Sequence, residues 1–302
     1  MKKASLLFLA IILFAVSVSC GHSVTNSDND TYEYIDDYGQ KITIPSHPKR
    51  VVSLSPAVTE IIFTLGADSI LVGRTEFCSY PKEAAKIENI GGISNLNIEK
   101  VLSVKPDLII SGSMVSQKVV QQFEKMGVPL VCVVEKPVFD GLYENISKIG
   151  KLIGCSDKAD SVNVLLRERV NMLMNQTPAE SDNGTAEQHT PTVYYVVGFG
   201  SGGNFTAGGD TFINDIISMS GGKNIAAESK GWAFSVEALM QSNPDYILIR
   251  AEDSARFCQT APYNNLSAVR HGKVIALQSG MIDLQVPRNI DVIQILRERI
   301  KQ

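Results

Sequence analysis

Two glutamates, Glu99 and Glu237, stand at equivalent places in a duplicated stretch and are the first candidates for recognition chemistry. Exposed carboxylates in a matched pair suit bidentate binding by arginines of a partner. Each also sits where a helix's first turn favours negative charge, so a purely local role stands beside the docking one. Trp232 is the single tryptophan; it follows Lys230-Gly231 rather than an apolar run, as expected of an aromatic that stacks on a large flat ligand. Gly198-Phe-Gly200-Ser-Gly-Gly203 satisfies G-x-G-x-x-G, but Asn204–Gly209 intervenes before any helical pattern. A dinucleotide site needs the helix to open within the motif, so this stretch reads as a flexible loop facing a cleft. The four histidines, His22, His47, His189 and His271, are dispersed, and the cysteines form no C-x-x-C. No metal site and no resident cofactor is expected. A Cys78–Cys258 disulfide is left open, and Cys132 reads as a small core residue.

These residues need scaffolding, and the duplicated stretch supplies it. Residues 97–111 and 235–249 align without a gap: a helix N-cap (Asn97, Ser235), a first-turn glutamate, a short apolar helix, Pro-Asp (106–107, 244–245), then an apolar strand. Proline disfavours helical geometry in the residue before it, which ends each helix. One unit per half predicts two similar α/β lobes. Around the first unit, the hairpin Tyr34–Ile44, strand Arg50–Leu54, helix to Gly66, strand Ile70–Gly73, helix 115–126 and strand Pro129–Val134 give a parallel-sheet pattern. Around the second lie strand Thr192–Val197, helix Phe212–Met219, a helix near Tyr263–Val269, strand Lys273–Leu277 and terminal helix Ile290–Ile300. Between them, two helical periods, Leu142–Ile153 and Lys158–Met174, read as a stiff connection.

A length of 302 residues allows two lobes with their own cores, and a net charge of -4 argues against a nucleic-acid partner. Met1-Lys2-Lys3 and the apolar run after it form a signal segment. Small residues before Cys20 resemble a bacterial lipoprotein cleavage site, although Ser17 stands where a leucine is usual; an ordinary secretory signal is the alternative. The expected organisation is a signal peptide (1–19), a lipidated Cys20 with tether (20–31), a first lobe (32–139), interlobe helices (140–176), a mobile polar loop (177–190) and a second lobe (191–302).

Several runs then carry a family resemblance: Arg50-Val-Val-Ser-Leu-Ser-Pro56-Ala-Val-Thr59-Glu60, Tyr80-Pro81, Gly91-Gly92, Lys105-Pro106-Asp107, Gly221-Gly222-Lys-Asn224 and Asn243-Pro244-Asp245. Together they resemble the periplasmic substrate-binding proteins that serve ABC importers of cobalamin, haem and ferric siderophores. The resemblance runs from about residue 34 to the C-terminus. It implies a class III fold, two Rossmann-like lobes joined by one long rigid helix, with little hinge motion. Within the family the chain is most similar to the vitamin B12 binders. That similarity implies Phe77 and Trp232 as cleft aromatics and Ser279, Gly280, Met281, Ile282 and Asp283 as a ligand-contacting loop. Arg74, Tyr80 and Phe199 are weaker candidates. It also implies Glu99 and Glu237 as docking carboxylates for the two permease subunits. Two cleft tryptophans of those binders align with Ile93 and Gly112, so aromatic contact is thinner here.

The resulting expectation is a monomeric, exported, lipid-anchored binding protein, not an enzyme, that delivers cobalamin or a related corrinoid to an ABC permease dimer. Haem, with Tyr80, Tyr263 or His271 as axial ligand, or a ferric siderophore held by Arg74, is the alternative cargo. An exported nucleotide-dependent enzyme using the Gly198–Gly203 loop, and an adhesion module without a small ligand, are the readings from other classes.

Overall fold

The computed structural model describes residues 30–92, 96–112, 115–175 and 189–300. The signal segment, Cys20 and its tether as far as residue 29, Ile93 and most of the polar loop (177–188) lie outside the described residues, and the tether's expected last residue, Thr31, already belongs to the first strand.

The described chain opens with the hairpin β1 (Thr31–Ile35) and β2 (Lys41–Pro45). Asp36 makes its turn: Oδ1 accepts from the N–H groups of Tyr38 and Gln40 at 3.0 and 2.9 Å. Then follow β3 (Val51–Ser53), α1 (Pro56–Thr64), β4 (Leu71–Arg74), α2 (Ile98–Ser103), β5 (Leu108–Ser111), α3 (Gln117–Lys125) and β6 (Leu130–Cys132). These strands form a parallel sheet in the order β4-β3-β5-β6. The connection is made by α4 (Gly141–Leu152) and α5 (Ser156–Asn175). The second lobe comprises β7 (Thr192–Val196), α6 (Phe212–Met219), β8 (Lys223–Asn224), α7 (Val236–Ser242) and β9 (Tyr246–Arg250). It ends with α8 (Ala251–Gln259), α9 (Ser267–Arg270), β10 (Val274–Leu277) and α10 (Asn289–Arg299). Its parallel sheet runs β10-β9-β7-β8, the first lobe's order repeated. Two α/β lobes of one topology are therefore present.

The duplicated Pro-Asp has a physical job in each lobe. Asp107 accepts from the N–H groups of Lys49 and Arg50 at 2.7 and 3.0 Å, fixing the chain as it enters β3. Asp245 accepts from the N–H and hydroxyl of Thr192, both at 2.7 Å, at the entry to β7. Before each proline the chain turns left-handed, with φ of 47° at Lys105 and 40° at Asn243. The helix thus reverses into the strand that carries its lobe's centre.

One apolar cluster passes from the first lobe (Val51, Ile61, Ile110) through α4 and α5 (Leu142, Ile149, Ala159, Leu173) into the second (Val193, Ile213, Ile293). The helix pair crosses closely: a Cβ on Gly150 would lie 2.5 Å from the Ala159 Cβ. Burying each such side chain stabilises by about 1.5–3 kcal/mol, so lobe separation would expose a shared core rather than stretch a linker. Gln285 ties the lobes again. Its Oε1 accepts from Lys136 N–H and Asn145 Nδ2, each at 3.2 Å, and its Nε2 donates to the carbonyls of Lys136 and Val138 at 3.2 and 2.7 Å. All four hydrogen-bonding positions of this fully buried amide are used.

Two elements escape the sequence reading. The strand β8 is two residues long, too short for a periodic pattern. Helix α8 follows β9 without a loop, with Glu252 and Asp253 in its first turn.

Candidate functional site

In an open α/β sheet, the first strand is flanked by crossovers that leave in opposite directions, which opens a crevice at the strands' carboxyl ends. Both lobes have such a point, at β3 and at β7, and the same cavity is lined from both. Pro56 follows β3, Phe77, Ser79 and Tyr80 follow β4, Val197 follows β7, Arg250 ends β9, and Ser279 and Gly280 follow β10. Glu60, Ile213, Trp232, Asp283, Leu284 and Arg288 complete the lining of a cavity of about 440 Å³, within the range of small-molecule sites.

Phe77 and Trp232 are the cavity's exposed aromatics, one from each lobe, at 59% and 47% exposure. Exposure of two large rings in one crevice is unfavourable without a ligand to cover them. The loop carrying Trp232 is held on both sides. Gly231 donates its N–H to Asp210 Oδ1 at 2.8 Å, and the Trp232 carbonyl accepts from Thr206 N–H at 2.8 Å. Phe77 sits on a tight turn closed by Cys78 N–H to the Thr75 carbonyl at 3.1 Å. Tyr80 lies under Arg288, whose guanidinium carbon is 3.7 Å from the ring centroid.

The charged groups form pairs. Arg288 donates from Nε and Nη2 to the two carboxylate oxygens of Glu60, at 2.9 and 2.7 Å, and both side chains are buried. Burial pushes the Glu60 carboxyl above the usual range, and Arg288 opposes the shift. Arg250 donates from Nε and Nη2 to Asp253 at 3.1 and 2.9 Å, and from Nη2 to the Val197 carbonyl at 3.1 Å. Asp253 also accepts from Arg256 at 2.7 Å, and these donors leave its carboxyl below the ordinary value even though burial opposes them. Asp283 differs: Tyr195 donates its hydroxyl to Oδ1, Gly280 N–H lies 3.4 Å from Oδ2, and it makes no ion pair among the described residues. Burial raises its carboxyl, as it raises that of Glu135, which accepts from Gln285 N–H at 3.0 Å.

Of the residues singled out from sequence, Phe77, Tyr80, Trp232, Ser279, Gly280 and Asp283 meet at this cavity. Others do not. Ile282 is buried in the core and Met281 packs against it, because the turn at Gly280 (φ +80°), with Met281 N–H bonded to the Gln278 carbonyl, sends them inward. Arg74 is spent on the carbonyls of Ala84 and Thr75, at 3.2 and 3.0 Å. Phe199 packs edge-on against Phe257 and Tyr263, with centroids 5.2 and 5.7 Å away, and carries Arg256 on its face. The Gly198–Gly203 loop, expected to face the cleft, lines none of it; Phe205 pairs back on Gly198, and α6 starts only at Phe212. Tyr263 is stacked on Phe257 in the core and His271 bonds Ser267 at the surface, so neither lies at the cavity. Cys78 and Cys258 remain unlinked thiols: Cys78 is buried between Thr59 and Thr75 of the first lobe, whereas Cys258 belongs to α8. No cluster of three His, Cys, Asp or Glu able to hold a metal occurs among the described residues. Glu60, Arg288 and Arg250 were missed as cavity residues; Glu60 stands inside a quoted motif, but nothing local marks it as the partner of Arg288.

The two glutamates stand in the first turns of α2 and α7. Asn97 Oδ1 accepts from Lys100 N–H and Ser235 Oγ from Ala238 N–H, both at 3.0 Å, as their N-cap positions predict. Both carboxylates are exposed, and neither enters an ion pair among the described residues. No helix among the described residues is long and apolar enough to cross a membrane.

Comparison with known proteins agrees with this architecture. The profile of a family described as periplasmic binding protein matches residues 51–280. An ABC transporter substrate-binding lipoprotein of Bacillus subtilis (strain 168) is 30% identical over 99% of this chain and 98% of its own length. A cobalamin-binding protein of Halobacterium salinarum is 29% identical over 83% of this chain and 69% of its own. The crystal structure of a periplasmic haem-binding protein from Pseudomonas aeruginosa superposes with a TM-score of 0.74 at 25% identity, covering 84% of this chain and 92% of that one.

Proposed function

The chain belongs to the periplasmic binding protein family, and from that premise we propose that it captures cobalamin or a related corrinoid between its lobes and delivers it to an ABC importer. The family is one of periplasmic binding proteins, and the relatives include one named an ABC transporter substrate-binding lipoprotein, one named a cobalamin-binding protein and one named a haem-binding protein. The observation that carries the finer reading is the cavity at the carboxyl ends of both sheets, with one exposed aromatic from each lobe. Two rings on opposite lobes suit a broad flat macrocycle. The relative named a cobalamin-binding protein supports the corrin over other macrocycles.

Delivery would use Glu99 and Glu237. Each is exposed, without an ion-pair partner among the described residues, and held in the first turn of a capped helix, one per lobe, which suits contact with arginines on two permease subunits. Export and attachment through a lipid on Cys20 complete the proposal, supported by the B. subtilis relative being named a lipoprotein. The continuous interlobe core suits a carrier that holds its ligand without a wide hinge motion.

Haem remains the second reading, because Tyr80 lines the cavity and the superposed Pseudomonas protein is named for haem. Calorimetric titration of the full-length protein in mild detergent, against cyanocobalamin, haemin and a ferric siderophore with micelle blanks, decides between them. Submicromolar binding of cyanocobalamin alone is expected. Binding of haemin or the siderophore with no response to cyanocobalamin would replace the corrinoid reading.

A further inference from the structure

Arg250 ends β9 and lines the cavity, and its guanidinium is fixed without being used up. Nε and Nη2 both donate to one oxygen of Asp253, Oδ2, at 3.1 and 2.9 Å, and Nη2 also donates to the Val197 carbonyl at 3.1 Å. The other oxygen of Asp253, Oδ1, is taken by Arg256 at 2.7 Å, so one carboxylate serves two guanidinium groups. Among the described residues none accepts from Nη1 of Arg250, and the side chain keeps 32% of its surface exposed. Two N–H groups on a held side chain are therefore left over. A second donor of the same lining is also unanswered. Nη1 of Arg288 is buried without a hydrogen-bond partner, and the desolvation cost of such a group is relieved when an acceptor reaches it. The lining's carboxyl without a cation, Asp283, is raised by burial and so opposes an anion less than a free aspartate would. Glu252, next to Asp253 in sequence, is exposed and lines no part of the cavity.

The duplicated stretch places this donor on one lobe only. One position beyond residues 97–111 stands Gly112, and one position beyond 235–249 stands Arg250. A Cβ at Gly112 would lie 2.4 Å from the Ser55 Oγ, so the first lobe has no room for a side chain there. Resting on the reading that this cavity is the ligand site, we propose that Arg250 is a specificity-determining residue. Its Nη1 donates to an oxyanion on the ligand, a phosphodiester or a carboxylate, and so turns the ligand's acid group toward the second lobe. Asp253 is the positioning residue, holding the guanidinium through Nε and Nη2 while Nη1 stays open. A guanidinium held in advance loses little side-chain freedom on binding, which favours the bound state. A corrinoid with its nucleotide loop brings one phosphodiester and haem brings two propionates, so either cargo supplies the group required.

The test uses two pairs of ligands, each titrated by absorbance into the full-length protein in detergent against a micelle blank. Cyanocobalamin, which carries the phosphodiester, is paired with dicyanocobinamide, which lacks it. Haemin is paired with haemin whose two propionates are converted to primary amides. In any pair that binds, the acidic member is expected to bind at least about tenfold tighter, as one hydrogen bond to a charged group provides. Arg250→Gln should weaken the acidic member about tenfold and leave its uncharged partner within about twofold. Where circular dichroism shows that variant unfolded, Arg250→Lys takes its place. An ammonium on a flexible stem does not present the same held N–H pair, so part of the preference should be lost. Equal binding of acidic and uncharged members by the unaltered protein would overturn the proposal. So would a folded variant whose preference is undiminished, or one that weakens both members alike. If the corrinoids bind without regard to Arg250, the corrinoid reading stands and the acid anchor fails. If only the porphyrins bind, the acidic one favoured through Arg250, the corrinoid reading fails and the anchor stands. If none of the four binds, both fall.

Discussion

Arg288 and Glu60, 228 residues apart in sequence, form a buried bidentate ion pair that joins the residue before α10 to the first helix of the other lobe. Removing one partner strands an unneutralised charge in the interior. Glu60→Gln is therefore expected to cost about 3–5 kcal/mol in urea unfolding. A loss below about 1 kcal/mol would mean that water reaches Arg288 and that the pair is not a structural joint.

The cavity rings should behave in the opposite way. Phe77 and Trp232 are exposed, so Phe77→Ala and Trp232→Ala should leave the melting temperature nearly unchanged while weakening ligand binding by about 1–3 kcal/mol each. Calorimetry and a thermal melt on the same samples separate the two effects. Unchanged affinity would remove the ring from the site.

For the exposed glutamates, the local effect on stability is the helix-dipole contribution, a few tenths of a kcal/mol each. Glu99→Ala with Glu237→Ala should abolish uptake in a transport assay with the cognate permease and leave ligand affinity intact. Loss of affinity together with uptake would make them structural.

Burial raises the Asp283 carboxyl, so the folded protein holds this proton more tightly than the unfolded chain does. The associated stability is fully present below the unfolded value, near pH ~4, and is lost as pH rises through the folded value. Asp283→Asn should thus melt higher than the parent at pH 7 and level with it at pH 4. A difference that does not depend on pH would assign the effect to packing.

Lys105 occupies a left-handed conformation, φ 47°, at the place where the second lobe has Asn243. Asparagine tolerates this region better than lysine. Lys105→Asn should stabilise by a few tenths of a kcal/mol up to about 1 kcal/mol, measured as a shift in the urea midpoint at constant m-value. Destabilisation would show that the Lys105 side chain makes a contact worth more than the strain.

What could be read from residue order was what is local. Asn97 and Ser235 cap helices through bonds to residues three places on, and Pro-Asp ends the helix and starts the strand within a few residues. Caps, prolines and apolar runs act over one or two turns of chain, so the duplicated unit, and with it a two-lobed α/β architecture, is written in order. Helix α8 and strand β8 were harder: one begins with no loop before it, and the other has only two residues.

The cavity belongs to the tertiary structure. Residues 279–283 read as one ligand-contacting loop, yet the turn at Gly280 directs Ile282 into the core while Ser279, Gly280 and Asp283 line the cavity. Which face a loop residue presents depends on the turn that packing selects, and residue type alone does not encode it. Glu60 with Arg288, and Gln285 with Lys136 and Val138, are pairings across more than a hundred residues. A buried charge or amide must find a partner, but many residues could serve, and only the docking of the two lobes chooses one. Sequence order determined the lobes; their packing decided which charges remain free between them.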